Sequence, residues 1–143
     1  MENGAKITAV RRVEWSDTDA AGVFHWMTAF RLVEAAEALL HERLGIRERT
    51  FGQTPRVHVE TTFHRELHFF DRVDVELRVA SVGRTSLRYA FVLTPHGEEE
   101  AAVEGEMVIV HVTGQPAGRP EPWPDDLRAA LEEGGDQGVA EAP

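Results

Sequence analysis

The sequence contains no cysteine among its 143 residues. This absence excludes disulfides, thiolate zinc sites, iron–sulfur clusters and a cysteine nucleophile. Serine is also scarce, and neither Ser16, Ser81 nor Ser86 lies in the Gly-x-Ser-x-Gly pattern that marks the nucleophile of many hydrolases. Any catalytic chemistry must therefore depend on other side chains.

Long hydrophobic runs are missing as well. No segment approaches the ~18 consecutive apolar residues that a membrane-spanning helix requires, and the first residues lack the apolar core of a signal peptide. We therefore expect a cytoplasmic protein without a membrane partner. Hydrophobic residues make up 42% of the chain, which is enough for one domain with a buried core.

Positive charge is in the minority, with 15 Lys and Arg against 25 Asp and Glu and a net charge of −10. The basic residues form no run, so we expect no nucleic-acid partner. A substrate that carries phosphates would have to meet a local group of arginines.

Three histidines, His58, His64 and His68, fall on one face of a predicted strand. In an extended chain His64 and His68 lie ~13 Å apart, which is too far for one ion. The sequence therefore predicts no metal site, and no pattern in it indicates a cofactor.

A long helix is predicted over residues 24–44. Its polar side chains recur every three to four residues and form one stripe; they are Arg31, Glu34, Glu37 and His41. The rest of its circumference is apolar, as in a helix that other structure surrounds.

Alternating apolar and polar residues indicate strands at 7–15 and again from Arg56 onward. The later strands are separated by short turns, which favour an antiparallel sheet; they cover 56–69, 73–79, 87–93 and 101–112. Gly105 is a candidate for a β-bulge in the last of them.

This order of elements predicts an α+β protein in which one antiparallel sheet curls around one long central helix, the hotdog fold. We expect a single domain over residues 1–133, which ends in a short helix at Asp125–Glu133 capped by Asp125 or Asp126. Residues 134–143 are small and polar, and we expect a disordered tail there.

The segment Val13–Glu34 carries a recognisable pattern. A strand end is followed by Asp17-Thr18-Asp19, two alanines, Gly22-Val23, aromatic residues and a helix with an acidic residue. This pattern resembles the N-terminal signature of the 4-hydroxybenzoyl-CoA thioesterase family, and more narrowly the YbgC-like acyl-CoA thioesterases.

Further matches to the same family are Asp71, which precedes a strand, and the segment Gly83–Leu87. The resemblance extends from about Val13 to Val112. The chain departs from the family's pattern at His25, which stands one place early, and at Glu66, where a proline is frequent.

The resemblance implies that this protein hydrolyses an acyl-CoA thioester with Asp19 as the catalytic carboxylate. Asp19 would act either as a nucleophile or as a general base, and the sequence leaves both routes open. The backbone amide of Trp26, at the start of the helix, would polarise the thioester carbonyl, and Gly22 would allow close approach to the ligand. His25 is a further catalytic candidate.

The resemblance also suggests residues that contact the substrate. Those near the acyl group are Phe24, Met27 and Glu34. Those near the CoA phosphates or the pantetheine are Arg84, Thr85 and Ser86.

Each of these residues has a simpler interpretation. Asp17 and Asp19 fit turn or capping positions, His25 fits a structural residue, and Glu34 fits a surface ion pair with Arg31. Phe24 and Met27 would then belong to the core, and residues 84–86 to an ordinary polar turn.

Two other functions also remain open. One is a thioesterase that releases its product from an acyl carrier protein, and the other is a non-catalytic acyl-CoA-binding protein. An acyl-thioester dehydratase is disfavoured, since the chain lacks an Asp-x-Asn-x-x-His motif. A single hotdog unit leaves a sheet edge exposed. The resemblance implies that two subunits join their sheets edge to edge with active sites at the subunit interface, so we expect a homodimer or homotetramer.

Overall fold

The computed structural model describes residues 1–141 and has the expected α+β hotdog architecture, with a large antiparallel sheet and one long helix. In chain order the elements are β1 (Lys6–Arg12), a 3-10 turn (Trp15–Asp17), α1 (Thr28–Arg43), α2 (Arg47–Thr50), β2 (Arg56–Phe63), β3 (Arg72–Val82), β4 (Ser86–Pro95), β5 (Val103–Val110), β6 (Val112–Thr113), β7 (Arg119–Pro120), α3 (Asp125–Glu133) and β8 (Asp136–Glu141). No helix in this part of the chain has the length and apolarity needed to cross a membrane.

The main sheet has the strand order β2-β5-β4-β3-β1-β8, and only the β1–β8 pair is parallel. We call one end of this sheet the loop end, because β1 finishes there with Arg12 opposite Arg72 and the chain continues into the segment that holds Asp19. We call the other end the hairpin end, because β3 and β4 join there through residues 83–85.

Helix α1 begins at Thr28, four positions later than the periodicity predicts. The preceding residues are extended instead, since Val23 forms a bridge with His68 and the Phe24 amide donates to the carbonyl of Leu67. The helix buries Leu32, Ala36 and Leu40 against the inner face of the sheet.

The prediction of a disordered tail is wrong for Asp136–Glu141. This segment is β8, which pairs with β1 in parallel. The Arg43 guanidinium donates to the carbonyls of Gln137 and Val139, and Arg72 contacts Glu141 at 2.7 Å. This polar segment is ordered by the edge of β1 and by arginines that lie far away in the sequence. Because these contacts and not its own residues make it a strand, its composition gives no sign of one. Residues 142–143 lie outside the described part of the chain.

Two smaller expectations also change. Helix α3 has Pro124 at its N-cap, so neither Asp125 nor Asp126 caps it. Gly105 pairs in regular register with both Thr61 and Phe91, and it is required because an added Cβ would lie 2.2 Å from the carbonyl oxygen of Glu60.

A β-bulge that matters for the site lies in β2 instead. Arg56 pairs with Ile109 and His58 with Val108, so Val57 is one extra residue on the β2 side. A bulge of this kind changes the face to which neighbouring side chains point. Arg56 therefore shares the inner face of the sheet with Ile109, although simple alternation with His58 would place it outside.

A polar network is buried between α1 and the sheet. The Arg56 guanidinium donates to Glu37 Oε1 at 2.6 Å. Beside this pair, His41 Nε2 lies 2.6 Å from the Tyr89 hydroxyl and Nδ1 lies 2.6 Å from Thr50 Oγ1. Because the Thr50 hydroxyl itself donates to the carbonyl of Ile46, its oxygen accepts the hydrogen bond from Nδ1–H, and Nε2 is left as an acceptor. This arrangement suits an uncharged imidazole.

Burial lowers the pKa of His41 to about 4, and the neighbouring positive charge of Arg56 acts in the same direction. The stability that depends on neutral His41 is present above the ordinary pKa of about 6.5 and is lost as the pH falls toward 4. Glu37 changes the pH dependence of stability in the opposite direction, since burial raises its pKa above the ordinary value.

We therefore predict that between pH 7 and pH 5 the wild type loses about 2 kcal/mol more free energy of unfolding than His41→Gln, which cannot titrate there. Urea unfolding of both proteins at both pH values measures this difference. Glu37 is present in both proteins, so its contribution cancels. Equal losses in the two proteins would contradict the assignment of a neutral buried His41.

Candidate active site

Asp17 is the anchor of the segment that follows β1. It is only 3% exposed. Its Oδ2 accepts from the amide of Glu14 at 2.8 Å, and its Oδ1 accepts from the Arg31 guanidinium at 2.6 Å. Its carbonyl accepts from the His25 amide at 2.8 Å and from the Thr28 hydroxyl at 3.0 Å. One buried residue thus connects the end of β1, the loop and the start of α1, which is a positioning role.

Asp19 lies at the exposed tip of the same segment. Its Oδ1 accepts from the amides of Ala21 at 2.8 Å and Val23 at 3.2 Å. Its own backbone forms a closed turn with Gly22 and Val23, and Gly22 has φ +76°, which favours glycine. Within residues 1–141 no group donates to Oδ2. The carboxylate is therefore fixed through one oxygen and presents the other.

The backbone amide of Trp26 has no acceptor within the described residues, whereas both adjacent amides do. The His25 amide donates to Asp17, and the Met27 amide donates to the His25 ring at 3.1 Å. The free amide also precedes the first turn of α1, where the helix dipole favours negative charge. The geometry at Trp26 is therefore suited to receive an anionic oxygen.

The His25 ring has a fixed orientation. Its Nδ1 accepts from the Met27 amide, and the ring stacks on Trp26 with a centroid separation of 5.9 Å. The structure thus places His25 beside the free amide of Trp26.

The residues expected to contact the acyl group have different surroundings. Phe24 is 8% exposed and belongs to the core, whereas Trp26 and Met27 are each 57% exposed. Glu34 lies 3.5 Å from Arg56 rather than next to Arg31, because Arg31 is bonded to Asp17.

The segment expected to bind CoA lies at the hairpin end. The carbonyl of Ser86 accepts from the Gly83 amide at 2.8 Å and from the Trp123 indole at 2.9 Å. The 11 residues of β3 separate this turn from the loop end, a span of roughly 35 Å. One chain therefore does not bring Arg84, Thr85 and Ser86 to Asp19.

Sequence reasoning missed a cavity of about 330 Å³ between α1 and the start of β2. Its wall includes the buried Glu37 and its partner Arg56, whose side chain is 34% exposed. Glu37 belongs to the predicted polar stripe of the helix, which was a usable signal. Nothing in the alternation pattern shows that Arg56 points inward, because the bulge at Val57 decides it. No group of three potential metal ligands occurs in the part of the chain that the structure describes.

Comparisons with known proteins identify the family of this chain and its fold. A family model described as the Thioesterase-like superfamily matches residues 13–131. A 1,4-dihydroxy-2-naphthoyl-CoA hydrolase from Synechococcus elongatus is 28% identical over 100 residues, which cover 66% of this chain and 74% of that protein.

Two solved structures extend the comparison. A thioesterase from Thermus thermophilus, in complex with coenzyme A and zinc, is 27% identical with a TM-score of 0.75 and covers 92% of this chain and 94% of its own. The 4-hydroxybenzoyl-CoA thioesterase from Pseudomonas sp. strain CBS-3 is 20% identical, with a TM-score of 0.75 and coverage of 87% and 98%, and supports the fold alone. The family expected from Val13–Glu34 and the fold expected from the order of the elements are thus confirmed.

The role of Asp17 as an anchor predicts that Asp17→Ala lowers the free energy of unfolding by about 2–3 kcal/mol, because Arg31 and the Glu14 amide lose a buried acceptor. Chemical denaturation measures the loss. The matched control is Asp126→Ala, which removes an exposed ion pair with Arg49 and should cost far less. Similar losses in both variants would contradict the anchoring role.

Proposed function

This chain belongs to the Thioesterase-like superfamily and is a thioesterase, and from that premise we propose that it hydrolyses an acyl-CoA to a free acid and CoA, with Asp19 as the catalytic carboxylate. The observation that supports this most strongly is the pairing, in one short loop, of an oriented carboxylate at Asp19 and an unpaired amide at Trp26. Thioester hydrolysis needs both an attacking group and a donor for the oxyanion.

The proposed chemistry uses these two groups in one of two ways. If Asp19 Oδ2 attacks the thioester carbonyl, the C–S bond breaks, CoA leaves as its thiolate, and water hydrolyses the resulting mixed anhydride. If Asp19 acts as a general base, it takes a proton from the water that attacks the carbonyl, the C–S bond of the tetrahedral intermediate then breaks, and the departing CoA sulfur receives the proton. In both routes the carbonyl oxygen becomes negative and binds the Trp26 amide, a donor that contributes about 3 kcal/mol of transition-state stabilisation.

The relatives support coenzyme A as the thiol to which the acyl group is attached. The Synechococcus elongatus protein is a CoA thioester hydrolase by name, and the Thermus thermophilus thioesterase binds coenzyme A in its crystal structure. The release of a product from an acyl carrier protein has no comparable observation in its favour. The cytoplasmic location stays a prediction.

We also propose that the working unit is a homodimer joined along β2. This strand forms one edge of the sheet, so its outer backbone groups are unpaired. Val59 and Phe63 lie on the inner face opposite the buried Met107 and Val103, yet they are 41% and 43% exposed. Apolar side chains on an inner sheet face are normally covered, and a second copy of the chain supplies that cover.

Such a dimer also explains where the CoA-binding segment lies. In this dimer the two β2 strands pair antiparallel about a two-fold axis. The partner's sheet therefore points in the opposite direction along the strands. The partner's hairpin end then lies at this chain's loop end. The turn that holds Arg84, Thr85 and Ser86 would therefore contribute to the active site of the other subunit.

We predict that Asp19→Asn lowers kcat for acyl-CoA hydrolysis by at least about a hundredfold, because it removes the carboxylate's charge while the amide oxygen still closes the turn to Ala21 and Val23. CoA release from short, medium, long and aromatic acyl-CoAs, detected with a thiol reagent, measures the effect. Asp125→Asn, an exposed acid on α3, is the control. Turnover that survives in Asp19→Asn would overturn the catalytic assignment.

The dimer predicts that Val59→Lys produces a monomer with little activity, since a charge would face the subunit interface. Sedimentation equilibrium measures the mass, and CoA release measures the activity. Thr62→Lys lies on the opposite face of the same strand and should stay dimeric. A wild-type protein that sediments as a monomer would refute the proposed assembly.

A further inference from the structure

We infer that a second cavity, at the hairpin end of the sheet and apart from Asp19, binds a short aliphatic primary amine as its ammonium ion. We call it the α2–α3 cavity, because residues of α2 and α3 line it together with the segment that follows β5. The wall residues on which the inference depends are Glu48, Gln53, His111, Val112, Pro124 and Leu127.

The α2–α3 cavity is large enough for a small organic ligand. Its volume is about 350 Å³, which falls within the range of small-molecule sites. A single water molecule, with a share of about 30 Å³ in the liquid, would fill only a small part of it.

His111 presents an unused hydrogen-bond acceptor at this cavity. The residue is 6% exposed, and its ring stacks on Trp123 with a centroid separation of 4.9 Å. Its Nδ1 lies 3.0 Å from the carbonyl oxygen of Glu121. Because a carbonyl only accepts, Nδ1 carries the hydrogen and Nε2 of the uncharged ring is an acceptor. Within residues 1–141 no group donates to Nε2.

Gln53 adds a second acceptor close to the first. Its backbone carbonyl accepts from the amide of Val112 at 2.9 Å, which places Gln53 beside the segment that holds His111. Its side-chain Oε1 is buried and has no hydrogen-bond partner among the described residues. Buried acceptors without a donor are rare and costly in native proteins. Two acceptors that lack donors on one cavity wall indicate a ligand with at least two N–H or O–H groups.

The charges at the cavity favour a cation. Glu48 lies on the wall and forms no ion pair in the part of the chain that the structure describes. The arginines beside it pair elsewhere, Arg47 with Glu42 and Arg49 with Asp126. Arg49 also lines the cavity, but its two terminal nitrogens donate to the two carboxylate oxygens of Asp126. An anionic ligand therefore meets no free guanidinium, whereas a cation meets an unpaired carboxylate.

A primary ammonium ion combines these properties. It carries a positive charge and three N–H donors, which equal in number the acceptor groups of His111, Gln53 and Glu48. The rest of the wall includes three apolar side chains, which suit a short hydrocarbon substituent; they are Val112, Pro124 and Leu127. A quaternary ammonium ion has the same charge but no donor, so it fits the charge of the cavity and not its acceptors.

The cavity shares residues with the turn that is expected to bind CoA. The His111 amide donates to the carbonyl of Thr85 at 2.7 Å. Trp123, on which His111 stacks, donates from its amide to the carbonyl of Arg84 at 3.1 Å and from its indole to that of Ser86 at 2.9 Å. An ammonium ion that fixes the His111 ring therefore orders this turn, and we expect the amine to lower KM for acyl-CoA. This effect on KM rests on the proposed acyl-CoA hydrolysis, whereas binding of the amine does not.

Isothermal titration calorimetry with n-propylammonium tests the site at pH 8, where alkylamines are protonated as lysine side chains are. We expect one amine per chain with a Kd of about 1 mM, in keeping with so small a ligand. Propyltrimethylammonium should bind at least about tenfold more weakly, because it cannot donate. Equal binding of the two cations, or no binding of propylammonium at about 20 mM, would overturn the inference.

Two variants of Gln53 should change the affinity in opposite directions. Gln53→Met removes the acceptor and should weaken binding by about tenfold, and Gln53→Glu adds a charge in the same shape and should strengthen it by about tenfold. Gln115→Glu is the matched control, since it adds the same charge at an exposed residue outside this wall; it should change Kd by less than about twofold. Identical affinities in folded wild type, Gln53→Met and Gln53→Glu, as checked by circular dichroism, would refute the site.

The role of the amine as an effector has a separate readout. Saturating propylammonium should lower KM for acyl-CoA by about fivefold in the wild type, and Gln53→Met should lose this response. Propyltrimethylammonium at the same concentration controls for ionic strength, and reactions without enzyme correct for direct aminolysis of the thioester. A wild type that binds the amine without any change in KM would contradict the effector role. If no acyl-CoA is hydrolysed, the proposed function fails, and calorimetry still decides whether the cavity binds the amine.

Discussion

The buried carboxylate of Asp17 is the contact on which the geometry of the site depends. It binds Arg31 of α1 and the amide of Glu14, and the backbone carbonyl of the same residue holds the start of the helix. A carboxylate that is 3% exposed requires such partners. Because both ends of the loop are fixed to this residue, Asp19 is held outward at the tip and the Trp26 amide is left without an acceptor among the described residues. The positions of the proposed catalytic groups, Asp19 and the Trp26 amide, are thus a consequence of the structural contacts that Asp17 makes.

The sequence predicts well what depends on local patterns. Helical periodicity identifies α1, alternation identifies the strands of the sheet, and the spacing of Asp17, Asp19 and Gly22 identifies the loop. The sequence does not predict what depends on distant partners. Strand β8 is ordered by Arg43 and Arg72, and the side chain that neutralises Asp17 lies 14 residues further along the chain. A single inserted residue at Val57 reverses the face of Arg56, which no alternation rule shows.

Each end of the sheet lacks a part of the proposed active site that the other end has. The loop end holds the proposed catalytic groups, Asp19 and the Trp26 amide, but lacks the segment expected to bind CoA. The hairpin end holds that segment and the cavity between α1 and β2, but none of the groups proposed to be catalytic. The exposed inner face of β2 lies between them. In the proposed dimer, one two-fold axis along this edge would bring the loop end of one subunit to the hairpin end of the other and cover the apolar side chains of the strand. Because a single arrangement would have both effects, we regard the dimer as the functional unit.

The most direct test of the account is a crystal structure of the protein with an acyl-CoA analogue in which a methylene group replaces the thioester sulfur. This ketone keeps the carbonyl but cannot be hydrolysed. The account predicts the carbonyl oxygen within about 3.2 Å of the Trp26 amide nitrogen, and the carbonyl carbon beside Asp19 Oδ2 or a water bound to it. A carbonyl bound by other donors, away from Asp19, would contradict it.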